Sequence, residues 1–125
     1  MQGCLKIFGL LLLLVPLAAS GADPLRGKQV VLARGDGNCL LCHAIPGAGR
    51  PAGNVGPSLA NVGSRLPAAE IRLRIADPER FNPDTVMPPY GRTGGLRNVA
   101  PEQRGRPLLS ERDIDDAVAF LLTLK

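Results

Sequence analysis

Apolar side chains recur at helical spacing near the end of the chain. Ser110, with Asp113 three positions later, has the pattern of a capping box with an acidic third residue. The positions that share one helical face beyond this cap are Ile114, Ala117, Val118, Leu121 and Leu122. The pattern therefore predicts a C-terminal helix with one buried face.

A second helix is predicted at residues 23–34. Asp23 followed by Pro24 is typical of a helix N-cap and first helical position. Gly35-Asp36-Gly37 is expected to end the helix near Arg34. Gly27 in this predicted helix lacks a side chain, so it could allow the close approach of another backbone.

The segment from Pro67 to Ala76 allows two interpretations. Its apolar residues alternate with Arg72 and Arg74, as in an edge strand. Pro67 at a first-turn position and the four-residue spacing of Ile71 and Ile75 favour a helix instead. We predict a helix that ends at Asp77-Pro78.

Long connections separate these helices. Residues 44–58 and 81–107 are rich in Gly and Pro and show no helical or strand periodicity. Loops of this length are uncommon unless they have a function, such as covering a cofactor. The predicted fold is all-α, with few helices and long Gly/Pro-rich loops around one cofactor.

The N-terminus has the pattern of a secretory signal peptide. Lys6 precedes an apolar run over residues 7–17, which is too short to span a bilayer, and small residues follow. Cleavage is predicted after Ala22, with Ser20 as the alternative site, and it would remove Cys4. The prediction is an exported domain over residues 23–125 without a membrane anchor; an uncleaved N-terminal anchor is the other interpretation.

Composition argues for a cofactor and against nucleic acid. The chain has no Trp, one Tyr and three Phe, and a formal net charge of +4. Binding of nucleic acid would call for aromatic platforms and a strong basic patch. A domain of this size with so few aromatic residues makes a thin core, which a large flat apolar cofactor would complete.

Cys39-Leu40-Leu41-Cys42-His43 is a C-x-x-C-H motif, the signature for covalent attachment of a c-type haem. Cys39 and Cys42 would form thioethers with the porphyrin, and His43 would bind the iron. A thioredoxin-like redox pair would require a βαβ setting, which is absent from the sequence pattern. A zinc site would require four N/S ligands, more than the mature segment offers.

The second axial ligand is predicted to be Met87, the one methionine after Met1. It lies in the run Met87-Pro88-Pro89, where two prolines would stiffen the loop that presents the thioether. The remaining donors are Lys28, Lys125, Tyr90 and the new amino terminus, and the other interpretation is a methionine that fills the core. The Pro57 carbonyl is expected to accept a hydrogen bond from the second ring nitrogen of His43.

These features are typical of the class I cytochrome c fold, and several motifs resemble the SoxX family more specifically. SoxX is the monohaem subunit of the SoxAX sulfur-oxidation complex. The motifs are residues 37–46, which contain Gly-Asn before the haem motif, Gly53-Asn54-Val55-Gly56-Pro57, and Gly95-Leu96 with Val99-Ala100. Met87-Pro88 and the C-terminal helix extend the resemblance over nearly the whole mature segment. The class I cytochrome c fold, which the chain resembles, implies that the backbone close to Gly27 belongs to the C-terminal helix.

The resemblance implies a periplasmic heterodimer with a SoxA-like cytochrome, in which this chain accepts electrons. The complex would oxidatively conjugate thiosulfate to a cysteine of the carrier SoxYZ and pass electrons to a downstream acceptor. No catalytic residue is predicted here, because both mature cysteines and the one histidine would be used by the haem. The alternative function is a free soluble cytochrome c electron carrier; haem-based ligand sensing is a third interpretation, against which Met87 argues.

A surface rich in arginine is the expected difference between a subunit and a free carrier. A subunit should have an apolar or arginine-rich docking patch beside the haem edge. The candidates are Arg72, Arg74, Arg80, Arg92, Arg97, Arg104 and Arg106. Alternatively, these residues are solvated and bias encounters with acidic partners.

Overall fold

The computed structural model of the chain describes residues 21–35 and 37–125, so most of the predicted signal peptide lies outside the described residues. Four α-helices are present in this part of the chain, and it contains no strand. They are α1 (Pro24–Leu32), α2 (Val62–Arg65), α3 (Ala68–Ala76) and α4 (Glu111–Leu121). Single 3-10 turns occur at Cys39–Leu41, Pro78–Arg80 and Pro101–Gln103. The all-α prediction is confirmed.

Helix α4 begins at the predicted capping box. The Ser110 hydroxyl accepts a hydrogen bond from the backbone N–H of Asp113, and the Asp113 carboxylate accepts one from the Ser110 backbone N–H. Four of the five predicted apolar residues are buried, and Leu122 is half-buried. Phe120 is also buried, which shows that α4 is covered on more than the predicted face.

Helices α1 and α4 cross with almost no space between their backbones. A Cβ atom at Gly27 would lie 1.8 Å from the backbone oxygen of Asp116, so only glycine fits at this position. The crossing confirms the predicted role of Gly27. Helix α1 begins after the Asp23 cap as predicted, but it ends at Leu32, two residues earlier than expected.

Helix α3 forms where the sequence allowed either a strand or a helix. Ile71 and Ile75 are buried on one face against α4, while Pro67 is the N-cap rather than a residue of the first turn. The segment adopts a helix because its two apolar residues four positions apart meet one core. Helix α2 was not predicted, since four residues carry too little periodicity to be recognised.

The long loops remain largely irregular and pack around one apolar core. The buried apolar residues come from α1, α2, α3, α4, the haem motif and the loops: Val30, Val31, Leu40, Ile45, Val62, Ile71, Ile75, Leu109, Ile114, Ala117, Val118, Phe120 and Leu121. Across the described ranges, no helix is long and apolar enough to cross a membrane.

Candidate haem-binding site

The C-x-x-C-H motif is held in a tight turn at the C-terminal end of α1. Asn38 precedes the turn with φ 46°, in the left-handed region that asparagine tolerates. The backbone N–H groups of Cys42 and His43 both donate to the Cys39 carbonyl, at 3.1 and 2.9 Å. The N–H of Gly37 donates to the Val30 carbonyl at 3.1 Å, which ties the motif to α1.

Both cysteines of the motif are half-buried, and neither is part of a disulfide. Burial raises the pKa of Cys39 to about 11, so this thiol is protonated at neutral pH. Reactive cysteines of disulfide oxidoreductases instead have a lowered pKa, because the thiolate is the nucleophile. The environment of Cys39 therefore disfavours the thioredoxin-like interpretation.

The His43 imidazole is oriented by the loop that follows the motif. Its Nδ1 lies 2.6 Å from the Pro57 carbonyl oxygen. Because a carbonyl can only accept a hydrogen bond, Nδ1 carries a proton, and the neutral ring then has its lone pair on Nε2. This is the tautomer that a metal-binding histidine needs.

Two glycines in the loop after the motif let its backbone pack directly against the motif. A Cβ atom at Gly56 would lie 2.4 Å from Cε1 and 2.7 Å from Nδ1 of His43, and one at Gly53 would lie 1.8 Å from the Leu41 carbonyl oxygen. The N–H of Gly56 donates to the Cys42 carbonyl at 2.8 Å. Both glycines belong to the sequence motif that resembles SoxX, but their contact with the haem motif was not predicted.

Met87 is half-buried and packs against the apolar core. Its backbone N–H donates to the Thr85 hydroxyl at 3.2 Å. Three residues further on, the Tyr90 hydroxyl donates to the Gly37 carbonyl at 2.7 Å, so the methionine loop is fastened to the segment before Cys39. Burial raises the pKa of Tyr90 to about 12, so its hydroxyl keeps the proton that it donates.

These side chains fit a covalently bound haem. The described residues supply two thiols, an imidazole oriented through Nδ1 and a thioether, which are the groups that c-type cytochromes use. Gly53 and Gly56 allow the loop to pack directly against the motif and the His43 ring. The residues present are therefore compatible with the haem that the motif predicts.

Three of the seven arginines expected at a docking patch have partners within the chain. Arg72 pairs with Glu111 and Asp115 across α3 and α4. The Arg74 guanidinium pairs with Glu70 and lies 4.0 Å from the centroid of the Phe81 ring.

Arg92 is the third. It pairs with Asp77 at 3.0 Å and with Glu79 at 2.8 Å. These three arginines therefore brace the fold, because their charges are already compensated within the chain. This pairing argues against a role for these three arginines in the predicted docking patch.

Residues 25–125 match the cytochrome c family, so the chain belongs to that family and carries a covalent haem c. Together with the helix order, this confirms the class I cytochrome c fold. More particularly, the chain is similar to the SoxX-like monohaem cytochromes, as the sequence motifs predicted.

A chain of the crystal structure of SoxXA from P. pantotrophus superposes with a TM-score of 0.75 and 29% sequence identity. The superposition covers 89% of this chain and 88% of that one. The c-type cytochrome SorU from Sinorhizobium meliloti superposes with a TM-score of 0.52 at 20% identity, over 81% of this chain and 88% of that one, which shows a shared fold only.

A curated protein to which the chain is similar is cytochrome c oxidase subunit 2 from Alkalihalophilus pseudofirmus, which is 29% identical over 108 residues. The match covers 80% of this chain, whereas this chain spans only 25% of the length of that relative.

Proposed function

We propose that this protein is the electron-accepting cytochrome subunit of a SoxXA-type complex that conjugates thiosulfate to a cysteine of a SoxYZ-like carrier protein. The observation that carries the proposal is the similarity to SoxXA over almost the full length of both chains, at a TM-score of 0.75. The Gly-Asn run before the haem motif and residues 53–57 add sequence support.

In this function the haem is held by four side chains. Cys39 and Cys42 would hold the haem covalently, and His43 Nε2 and the Met87 thioether would ligate its iron. The Pro57 carbonyl fixes the imidazole, as its 2.6 Å contact with Nδ1 supports. Haem c bound in this way supplies reversible one-electron transfer between ferric and ferrous iron.

The chain by itself is an electron relay. Joining thiosulfate to a carrier thiolate forms one sulfur–sulfur bond and releases two electrons, so the complex needs an acceptor. This chain offers no nucleophile for that step, because its mature segment has two cysteines and one histidine, all assigned to the haem. The sulfur chemistry therefore belongs to the SoxA-like partner, and a downstream acceptor re-oxidises this subunit.

Apolar residues beside the haem ligands are the proposed contact with the partner. Leu41 and Val55 are 67% and 66% exposed, although each adjoins a residue of the haem site. The hydrogen bond between Gly56 and Cys42 brings their two segments together. Val86, which is 78% exposed, precedes Met87. Exposed apolar side chains of this size are expected to become buried in a stable interface.

Association with the partner tests this proposal. The holoprotein should be co-produced with a SoxA-like cytochrome from the same source, and the affinity of the pair measured by titration. Leu41→Lys should weaken binding by at least tenfold, because it places a charge in an apolar contact. The matched control is Leu25→Lys: Leu25 is 77% exposed, but it lies at the opposite end of α1 from the haem motif.

Two results would contradict the proposal. If no stable complex forms with any SoxA-like protein while the isolated holoprotein still exchanges electrons normally, the chain is a free carrier. If both lysine variants weaken the complex equally, the interface lies elsewhere. The predicted export to the periplasm, with cleavage after Ala22, belongs to the same proposal and places the haem in the compartment where the complex would act.

A further inference from the structure

One charged side chain is buried within the described residues, and no part of the haem site uses it. Asp116 on α4 is 1% exposed. Its Oδ1 accepts a hydrogen bond from the backbone nitrogen of Asp23 at 2.6 Å, and its Oδ2 pairs with the Arg26 guanidinium. Arg112 lies 3.9 Å from the same oxygen. A buried carboxylate normally persists only where its charge is compensated.

The backbone nitrogen of Asp23 is the atom that cleavage after Ala22 would convert into the amino terminus. We propose that the α-ammonium group of processed Asp23 forms an ion pair with Asp116, so that removal of the leader completes the α1–α4 interface. The inference rests on the cleavage position given under the proposed function and goes beyond that function. In this proposal Asp116 is the group that binds the mature N-terminus.

The charges around this nitrogen favour an added positive charge. Three carboxylates, from Asp23, Asp113 and Asp116, face only two guanidinium groups, from Arg26 and Arg112. The adjacent face of α4 adds two more carboxylates against a single guanidinium: Glu111, Asp115 and Arg72. An α-ammonium group therefore enters a region with an excess of negative charge.

The position of Asp23 is already fixed by α1. Its carboxylate accepts hydrogen bonds from the N–H groups of Leu25 at 2.9 Å and Arg26 at 3.3 Å, which holds its backbone nitrogen towards Asp116. A positive charge directly before a helix is disfavoured by the helix dipole. The Asp116 carboxylate offsets this effect, because it is the group closest to the new charge.

Cleavage changes the charge of the group that donates a hydrogen bond to Asp116. In the precursor the Asp23 nitrogen is a neutral amide, and in the processed chain it is a charged amine. The hydrogen bond to the ionised Asp116 is charge-assisted in both forms, and the charged amine adds a direct Coulombic attraction to the carboxylate. The processed chain should therefore hold α1 against α4 more firmly than the precursor does.

Chemical labelling of amines tests the proposal on the holoprotein purified from the periplasm. Intact mass should show a chain that begins at Asp23 and carries one haem. Processed protein has three amines, the α-amine and the exposed Lys28 and Lys125, which serve as internal references. An unpaired α-amine has an ordinary pKa of about 8 and is the most reactive of the three at neutral pH.

The expected result is protection of the α-amine alone. Its acetylation by an activated ester should be at least tenfold slower in the folded protein than in guanidinium, while Lys28 and Lys125 change by less than about threefold. Asp116→Asn should abolish the protection, and Asp115→Asn, an exposed carboxylate of the same helix, should preserve it. The comparison of folded with denatured wild-type protein stands even if Asp116→Asn fails to fold.

Two outcomes would overturn the inference. One is a mature chain that begins before Asp23, for example at Gly21. The other is an α-amine that reacts equally fast in folded and denatured protein. Neither outcome affects haem attachment or binding of the SoxA-like partner, so failure of this inference is distinguishable from failure of the proposed function.

Discussion

Gly56→Ala is the substitution that should disturb the haem site most selectively. The added Cβ would lie 2.4 Å from Cε1 of His43, whereas ordinary van der Waals contact begins near 3.4 Å. Either the imidazole or the Gly56 backbone must therefore move by about 1 Å. Gly56 has no positive φ, so the effect comes from this contact and not from backbone strain.

Both ways of relieving the contact weaken the site. Movement of the imidazole disturbs its 2.6 Å contact with the Pro57 carbonyl and turns Nε2 away from its ligating position. Movement of Gly56 by about 1 Å stretches its 2.8 Å hydrogen bond to the Cys42 carbonyl beyond bonding range. Overpacking of this kind costs about 2 kcal/mol.

The assay is denaturation by guanidinium followed at the haem absorption, together with redox titration of the same samples. Gly94→Ala is the matched control, because a Cβ there has no neighbour within 4 Å and φ is not positive. The control should change stability by less than about 0.5 kcal/mol. If Gly56→Ala matches the control in stability and in reduction potential, the reasoning about His43 is wrong.

Three further changes test other parts of the account. Gly27→Ala should destabilise the holoprotein by about 3 kcal/mol in the same denaturation assay, since the new Cβ meets helix backbone that cannot rotate away. Met87→Ala should remove the far-red sulfur-to-iron charge-transfer band of the ferric protein and lower the reduction potential; an unchanged band would reassign the ligand. Tyr90→Phe deletes the hydrogen bond to Gly37, so cyanide should displace the axial ligand several-fold faster while global stability falls by only about 1 kcal/mol; an unchanged rate would contradict the fastening role.

The elements with local signals were predictable from the sequence. The haem motif has a fixed spacing, α4 has a capping box and an apolar face, and Asp23-Pro24 defines the start of α1. Each of these signals depends on residues within a few positions of one another, so a single sequence is enough to recognise it. The Gly/Pro-rich loops were predictable for the same reason.

Features created by packing between distant segments were not predictable. Burial of Asp116 follows from the close crossing at Gly27, which carries a polar position of α4 into the interface. The ion pair of Arg72 depends on the placement of α3 beside α4, and the contact of Gly56 with His43 depends on the path of a loop. None of these partners is near its counterpart in sequence, so no periodic pattern indicates them.

Reconstituted turnover tests the central claim most directly. The ferric holoprotein, a SoxA-like cytochrome and a SoxYZ-like carrier should be mixed with thiosulfate, with at least two ferric haems per carrier because each conjugation releases two electrons. Reduction of this chain's haem is followed by its absorption. The account predicts rapid reduction that requires all three proteins and thiosulfate, and a carrier mass increased by one thiosulfate. It predicts no reduction when the SoxA-like protein is omitted. Reduction by thiosulfate and carrier alone, or no reduction in the complete mixture, would contradict the account.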